Sequence, residues 1–222
     1  MILPEWIEPN VSILPPAQRR LWPELIALPR PFVLYGGTGL ALRLGGRESE
    51  DFDFFSADAV EAHQLSDALG FLGKAELIQA APNTATFLLD RQGAVKVSFF
   101  GGLTCGRVGE PGTTRDTRLQ VASLLDLAAH KVRTIQVRAA SKDYLDIHTL
   151  LVHGVSLARA LGAARGLFPD FSTIVSLKAL SYFGDGDLPD LPEDIKAALA
   201  HSAETVQEIV PVPRVARDLW GA

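Results

Sequence analysis

The 222 residues contain one cysteine, Cys105. An internal disulfide is therefore impossible, and no Cys/His spacing typical of zinc sites is present. A reducing, cytoplasmic setting is the default expectation. No apolar stretch reaches the ~18 residues that cross a bilayer. The opening Met1-Ile2-Leu3-Pro4-Glu5-Trp6 has no basic region followed by an apolar run, so neither a membrane segment nor an export signal is expected. Positive charge is not in excess. Lys and Arg number 21 against 26 Asp and Glu, for a net charge of −5. That excludes a strongly basic nucleic-acid footprint and leaves room only for a local patch. Repeats and low-complexity tracts are also missing. What remains is ordinary globular material. At 47% hydrophobic and 21% charged, the chain is not disordered and has enough apolar residues for a sizeable core.

Residues 1–16, with Pro4, Pro9, Pro15 and Pro16, read as an irregular arm. A helix is predicted at 17–28, split or kinked by Pro23. A short buried strand at 32–35 leads into Gly36-Gly37-Thr38-Gly39 and a helix at 40–44, closed by Gly45-Gly46. A strand at 51–55 and a helix at 59–72 follow. Three closely spaced strands at 75–80, 84–90 and 94–100 point to antiparallel or mixed pairing. Residues 101–117 read as a glycine-rich loop. Helices are predicted at 123–138, 142–153, 157–166, 171–183 and 192–209. The division is an α/β part at 1–118 and a helical part at 119–222.

The segment from Tyr35 to Phe55 carries the chemistry. Gly36 and Gly37 let backbone N–H groups approach an anion with no Cβ in the way. Thr38 is placed to cap the next helix and to offer a hydroxyl to phosphate. The helix N-terminus adds partial positive charge. Asp51 and Asp53 lie two apart on a strand and share one face, while Phe52 and Phe54 point into the core. Two carboxylates so placed converge on one hard cation such as Mg²⁺. Arg47 and Ser49 precede them in the turn, and Arg47 either pairs with an aspartate or meets phosphate.

A second cluster lies among the helices. Lys131, with Arg133, Arg138 and Lys142, forms either a solvated basic face or a patch that draws triphosphate or an RNA backbone. Ser141 is the expected N-cap of the helix carrying Asp143 and Asp146, which share one face. Asp143 either complements that helix terminus or takes part in chemistry. The five histidines form no ligand set.

The run from Tyr35 to Phe55 resembles the first motif of the AbiEii/AbiGii toxin family of nucleotidyltransferases: GGT, an apolar helix, Arg-x-Ser, then Asp-x-Asp. Asp126-Leu127-Ala128-Ala129-His130-Lys131 and Lys142-Asp143-Tyr144-Leu145-Asp146-Ile147 resemble its later motifs. The matches cover roughly 32–152. The resemblance implies an α+β fold, a polymerase β-like nucleotidyltransferase core with a mixed sheet followed by a C-terminal helical part. It implies a Mg²⁺-dependent transferase that uses an NTP and acts on a hydroxyl of RNA (tRNA among the candidates), protein or nucleotide. It also implies the toxin role in a type IV toxin–antitoxin pair, with an antitoxin partner. Under it, Gly37 and Thr38 hold triphosphate; Gly36, Arg47, Ser49 and Lys96 are read from their own positions as further nucleotide contacts. Asp51 and Asp53 bind the metal, Lys131 contacts phosphate, and Asp143 is the acid of the later motif.

One departure stands out. Such transferases usually carry a third carboxylate on a neighbouring strand, and Ser98 occupies that place. Serine is a weak Mg²⁺ ligand and no carboxylate base. Asp143 or Asp90 then supplies the acid, or Lys96 replaces a metal charge, or the chain is a nucleotide-binding regulatory protein with a degenerate site. A small-molecule phosphotransferase is the remaining alternative.

Overall fold

The computed structural model describes residues 5–221. The part of the predicted arm at 1–4 lies outside them. The chain forms two compact units, one reaching to Ser123 and taking back the tail from Ala216, the other Leu124–Val215.

The first unit is built on a mixed sheet. Its strands are β1 (Glu5–Ile7), β2 (Val33–Tyr35), β3 (Asp51–Phe55), β4 (Glu76–Ala81), β5 (Thr84–Asp90), β6 (Ala94–Phe100), β7 (Gly112–Thr114) and β8 (Gln120–Val121). Their spatial order is β1-β7-β8-β2-β3-β6-β5-β4. β3 lies inside the sheet, antiparallel to β2 and parallel to β6. Its acid–aromatic alternation sorts the two faces. Phe52 and Phe54 are fully buried while Asp51 and Asp53 are half-buried. Phe54 packs on Phe99 with ring centroids 5.5 Å apart, and Trp22 stacks over Phe52 at 6.4 Å. Burial of large aromatics on one face fixes the register, because a slip of one residue would put both aspartates into the core.

Several local expectations are corrected. The proline-bearing arm is not wholly irregular, because β1 pairs in parallel with β7, inside the stretch 101–117 that reads as loop. The helix at 17–28 is α1 (Pro16–Leu21) followed by a 3-10 turn at Trp22–Ala27, so Pro23 does interrupt it. The helix at 40–44 begins earlier, as α2 (Gly36–Leu44). The helix at 59–72 shortens to α3 (Ala62–Ala68) and a 3-10 turn at Gly70–Leu72. β8 continues the sheet past residue 118 by pairing in parallel with β2, so the sheet-bearing unit runs to Ser123.

The second unit holds α4 (Leu124–Thr134), α5 (Ser141–Val152), α6 (Leu157–Leu167), α7 (Thr173–Ala179) and α8 (Glu193–Glu204). Leu127, Val132, Ile147, Leu150, Leu161 and Leu199 are buried in it. Ser141 is not the N-cap of α5, since Ala140 holds that position. Instead Asp187 reaches in and accepts from both the Ser141 backbone N–H, at 2.6 Å, and its hydroxyl, at 2.7 Å. Among the described residues no single helix is long and apolar enough to cross a membrane.

Candidate active site

β2 turns into α2 with no intervening loop. Gly36 makes that turn at φ 71°, a conformation that L side chains resist. Space forbids a side chain as well, since a Cβ on residue 36 would stand 2.6 Å from the Asp53 Oδ2. A Cβ on Gly37 would stand 2.6 Å from the Arg47 Nη2 and 2.8 Å from the Ser49 Oγ. The glycine bend, one aspartate, the arginine and the serine therefore meet at one place in the first unit. The opening N–H groups of α2 have no intrahelical acceptor, and Tyr35 at the N-cap contributes no side-chain cap. The bend thus presents donors and partial positive charge to an anion.

Asp51 lies one pleat away from Asp53 on the same face. In the β3–β6 register Asp51 is opposite Lys96 and Asp53 is opposite Ser98. The Lys96 Nζ sits 2.9 Å from the Asp51 Oδ2, with both side chains partly exposed. Ser98 is 4% exposed, and its hydroxyl lies 3.2 Å from that of Thr86 on β5. Thr86 in turn lies 3.4 Å from the Gln79 amide oxygen on β4. A polar ladder of neutral groups thus runs from Asp53 across β6, β5 and β4. Sequence reading reached Ser98 but missed Thr86 and Gln79, although the alternation of β5 placed Thr86 on that face.

Thr38 does not cap the helix. It is the third residue of α2, fully buried, and its hydroxyl donates to the Asp51 carbonyl at 2.5 Å. The cause is the early start of α2 at Gly36. The hydroxyl expected to face phosphate is used to hold β3 beside the bend, and Thr38 offers an anion only its backbone N–H.

Lys131 and Asp143 are brought to one another within the helical unit. The Lys131 Nζ lies 2.8 Å from Asp143 Oδ1 and 2.6 Å from Asp146 Oδ2. Arg138 binds Asp143 through Nε at 2.7 Å and Nη2 at 3.0 Å. Asp143 has no exposure and Lys131 is 8% exposed. Burial pushes the Asp143 carboxyl up, but the Arg138 hydrogen bond and the Lys131 ammonium outweigh it and hold the group below the usual carboxylate range. A carboxylate kept ionised and paired in this way is a poor base near neutrality. In this geometry Asp143 and Lys131 form an ionic clamp between α4 and α5. Asp146 is the partner whose role the sequence did not reveal.

Among the described residues no three His, Cys, Asp or Glu side chains gather as a metal site. Asp51 and Asp53 nevertheless fit one hard cation that takes its other ligands from water and phosphate oxygens, as Mg²⁺ does.

Comparisons with known proteins identify the family. A model described as nucleotidyl transferase AbiEii toxin, type IV TA system, matches residues 20–217. An uncharacterized protein of Aquifex aeolicus, aq_aa25, is 29% identical over 168 residues, covering 74% of this chain and 79% of that one. The crystal structure of a candidate nucleotidyltransferase from H. pylori superposes with a TM-score of 0.55 at 17% identity, covering 85% of this chain and 92% of the other. That likeness shows a shared fold. With the family model spanning most of its length, the chain belongs to the AbiEii toxin family and is a nucleotidyltransferase.

Proposed function

We propose that this enzyme transfers a nucleoside monophosphate from an NTP, bound with Mg²⁺, to a hydroxyl on an RNA acceptor, and that it is the toxin of a pair whose antitoxin restrains it. The observation that carries the proposal is the contact between the Gly36 bend and the Asp53 carboxylate, which sets an anion-binding helix terminus against a metal-binding group. Asp51 and Asp53 would hold the cation, which supplies charge neutralisation to the polyphosphate when bound. The backbone N–H groups of Gly36, Gly37 and Thr38 bind phosphate oxygens in a fixed array that needs no reorganisation. Arg47 and Ser49, over Gly37, add charged and neutral donors to the same oxygens. Lys96 has the reach to meet phosphate from the neighbouring strand. These groups orient the α-phosphate for in-line attack, and orientation supplies much of such a rate enhancement.

The decisive experiment incubates the protein with each α-labelled NTP and total cellular RNA and protein. Label should enter RNA, and Asp53→Ala should reduce it by about a hundredfold or more. Label confined to protein would move the acceptor assignment. A second reading has one observation in its favour. The neutral Ser98 opposite Asp53 suits a protein that binds nucleotide without transferring it. NTP binding with no labelled product on any acceptor would select that reading.

A further inference from the structure

We infer that this site works with a single divalent cation, and that Lys96 supplies, as a permanent charge, what a second cation provides elsewhere. The inference rests on the nucleotidyl-transfer reading and deepens it. Two-cation phosphoryl transfer places both ions between acidic ligands and the reacting oxygens, and the ligands must offset the cations' charge. Here the position opposite Asp53 is Ser98, buried and 3.2 Å from the Thr86 hydroxyl. Neither neutral hydroxyl replaces the charge of an acid. The position opposite Asp51 is Lys96, whose Nζ lies 2.9 Å from Oδ2.

The two departures balance. With Arg47 standing beside the bend, two carboxylates, one ammonium and one guanidinium leave this face neutral, and one divalent cation gives it two positive charges. Three carboxylates and the same guanidinium with two divalent cations reach that same balance. Loss of one acid and presence of one lysine therefore remove the need for one whole cation. Two divalent cations on the present face would leave four positive charges, and no further carboxylate gathers there among the described residues. The Lys96 side chain is 41% exposed. A flexible ammonium so placed can exchange Asp51 for a phosphate oxygen without leaving the site.

The test counts Mn²⁺ bound to the full chain, by equilibrium dialysis with electron paramagnetic resonance detection. It is run alone and with saturating α,β-methylene analogues of the four NTPs. The wild type should bind one Mn²⁺ per chain with the preferred analogue, and Lys96→Met/Ser98→Asp should bind two. Because a buried aspartate can prevent folding, Lys96→Met is measured alone as well. Without nucleotide its Mn²⁺ affinity should rise by about fivefold, since the ammonium no longer competes for Asp51. With nucleotide its analogue affinity should fall, and Lys96→Arg should restore it. A lysine that only filled space would move neither constant in this pattern. Two Mn²⁺ on the wild type, or unchanged metal affinity in Lys96→Met, overturns the inference while leaving the transferase reading standing. A folded wild type that binds neither Mn²⁺ nor any analogue overturns both.

Discussion

The Thr38 hydroxyl donates to the Asp51 carbonyl across thirteen residues of sequence, tying the first turn of α2 to the strand that bears both aspartates. Removing it takes one hydrogen bond from a part-buried carbonyl, at a cost of about 0.5–1.5 kcal/mol. Thr38→Val keeps the shape and deletes the bond. Its unfolding midpoint in urea should fall accordingly, and Mn²⁺ affinity should drop by about tenfold as the aspartates lose their register against the bend. Thr38→Ser should recover both. Equal loss in the serine and valine variants would mean that the methyl group, not the hydroxyl, matters.

His130 sets a pH dependence. Its Nε2 is buried, and the ring meets Phe168 edge-on at 5.0 Å. Burial, then the charges of Arg133 and Lys131, push its pKa from 6.5 down to about 3. A folded-state pKa below the unfolded value means that protons prefer the unfolded chain. The neutral ring's stability contribution is therefore whole above pH 6.5 and is lost progressively as pH falls toward 3. Between pH 6.5 and 5, above the carboxylate range, stability should fall by up to about 1.4 kcal/mol per pH unit. His130→Leu should flatten that slope whatever its stability at pH 7. Urea melts at half-unit intervals give the comparison, and parallel slopes would refute it.

How much of this was legible in the sequence depends on the range of each interaction. The alternation at 51–55 is a local, period-two signal, and it placed Asp51 and Asp53 on one face and Phe52 and Phe54 in the core. The glycine bend is equally local. The start of α2 was misplaced because Gly36 adopts a positive φ and lets the helix begin two residues before Thr38, which moved that hydroxyl from ligand to brace. β1 and β7 are three-residue strands between prolines and glycines. β7 also pairs with nearby β8, but β1 completes its hydrogen bonds through β7, a pairing across more than a hundred residues that no local pattern encodes. The Lys131–Asp143 pair was visible as two charged residues on neighbouring helices. That they neutralise one another depends on how α4 packs on α5.

The clamp makes its own prediction. Lys131→Ala leaves Asp143 and Asp146 buried without the ammonium they share, a loss of about 3–5 kcal/mol. Arg138→Ala removes a half-exposed partner and should cost less, about 1–2 kcal/mol. The acid limb should also move. Asp143 titrates below 3.8 in the wild type, so its contribution is whole above that value and lost as pH falls through the lower folded one. Without Lys131 the folded value rises, and acid unfolding should begin at higher pH. Circular dichroism from pH 2.5 to 7 reads this directly, and an unmoved acid limb would show that Arg138 alone holds the carboxylate down.

In the helical unit, Gly162 and Gly166 on α6 lie beneath the carbonyl oxygens of Val210 and Val212, leaving no room for a Cβ at either glycine. The segment around 209–212 therefore lies directly on the helix backbone. On an open helix face, Gly→Ala would stabilise by about 1 kcal/mol through propensity. Gly162→Ala must instead lift the strap, because backbone on both sides cannot yield. The variant should lose stability despite the better helix former, and limited proteolysis should cut the chain after Arg214 faster than in the wild type. Gly70→Ala is the control. Nothing lies within 4 Å of a Cβ there and its φ is not positive, so it should be neutral or raise stability by up to about 1 kcal/mol. If Gly162→Ala matched Gly70→Ala in both stability and cleavage rate, the strap would not be held by that contact.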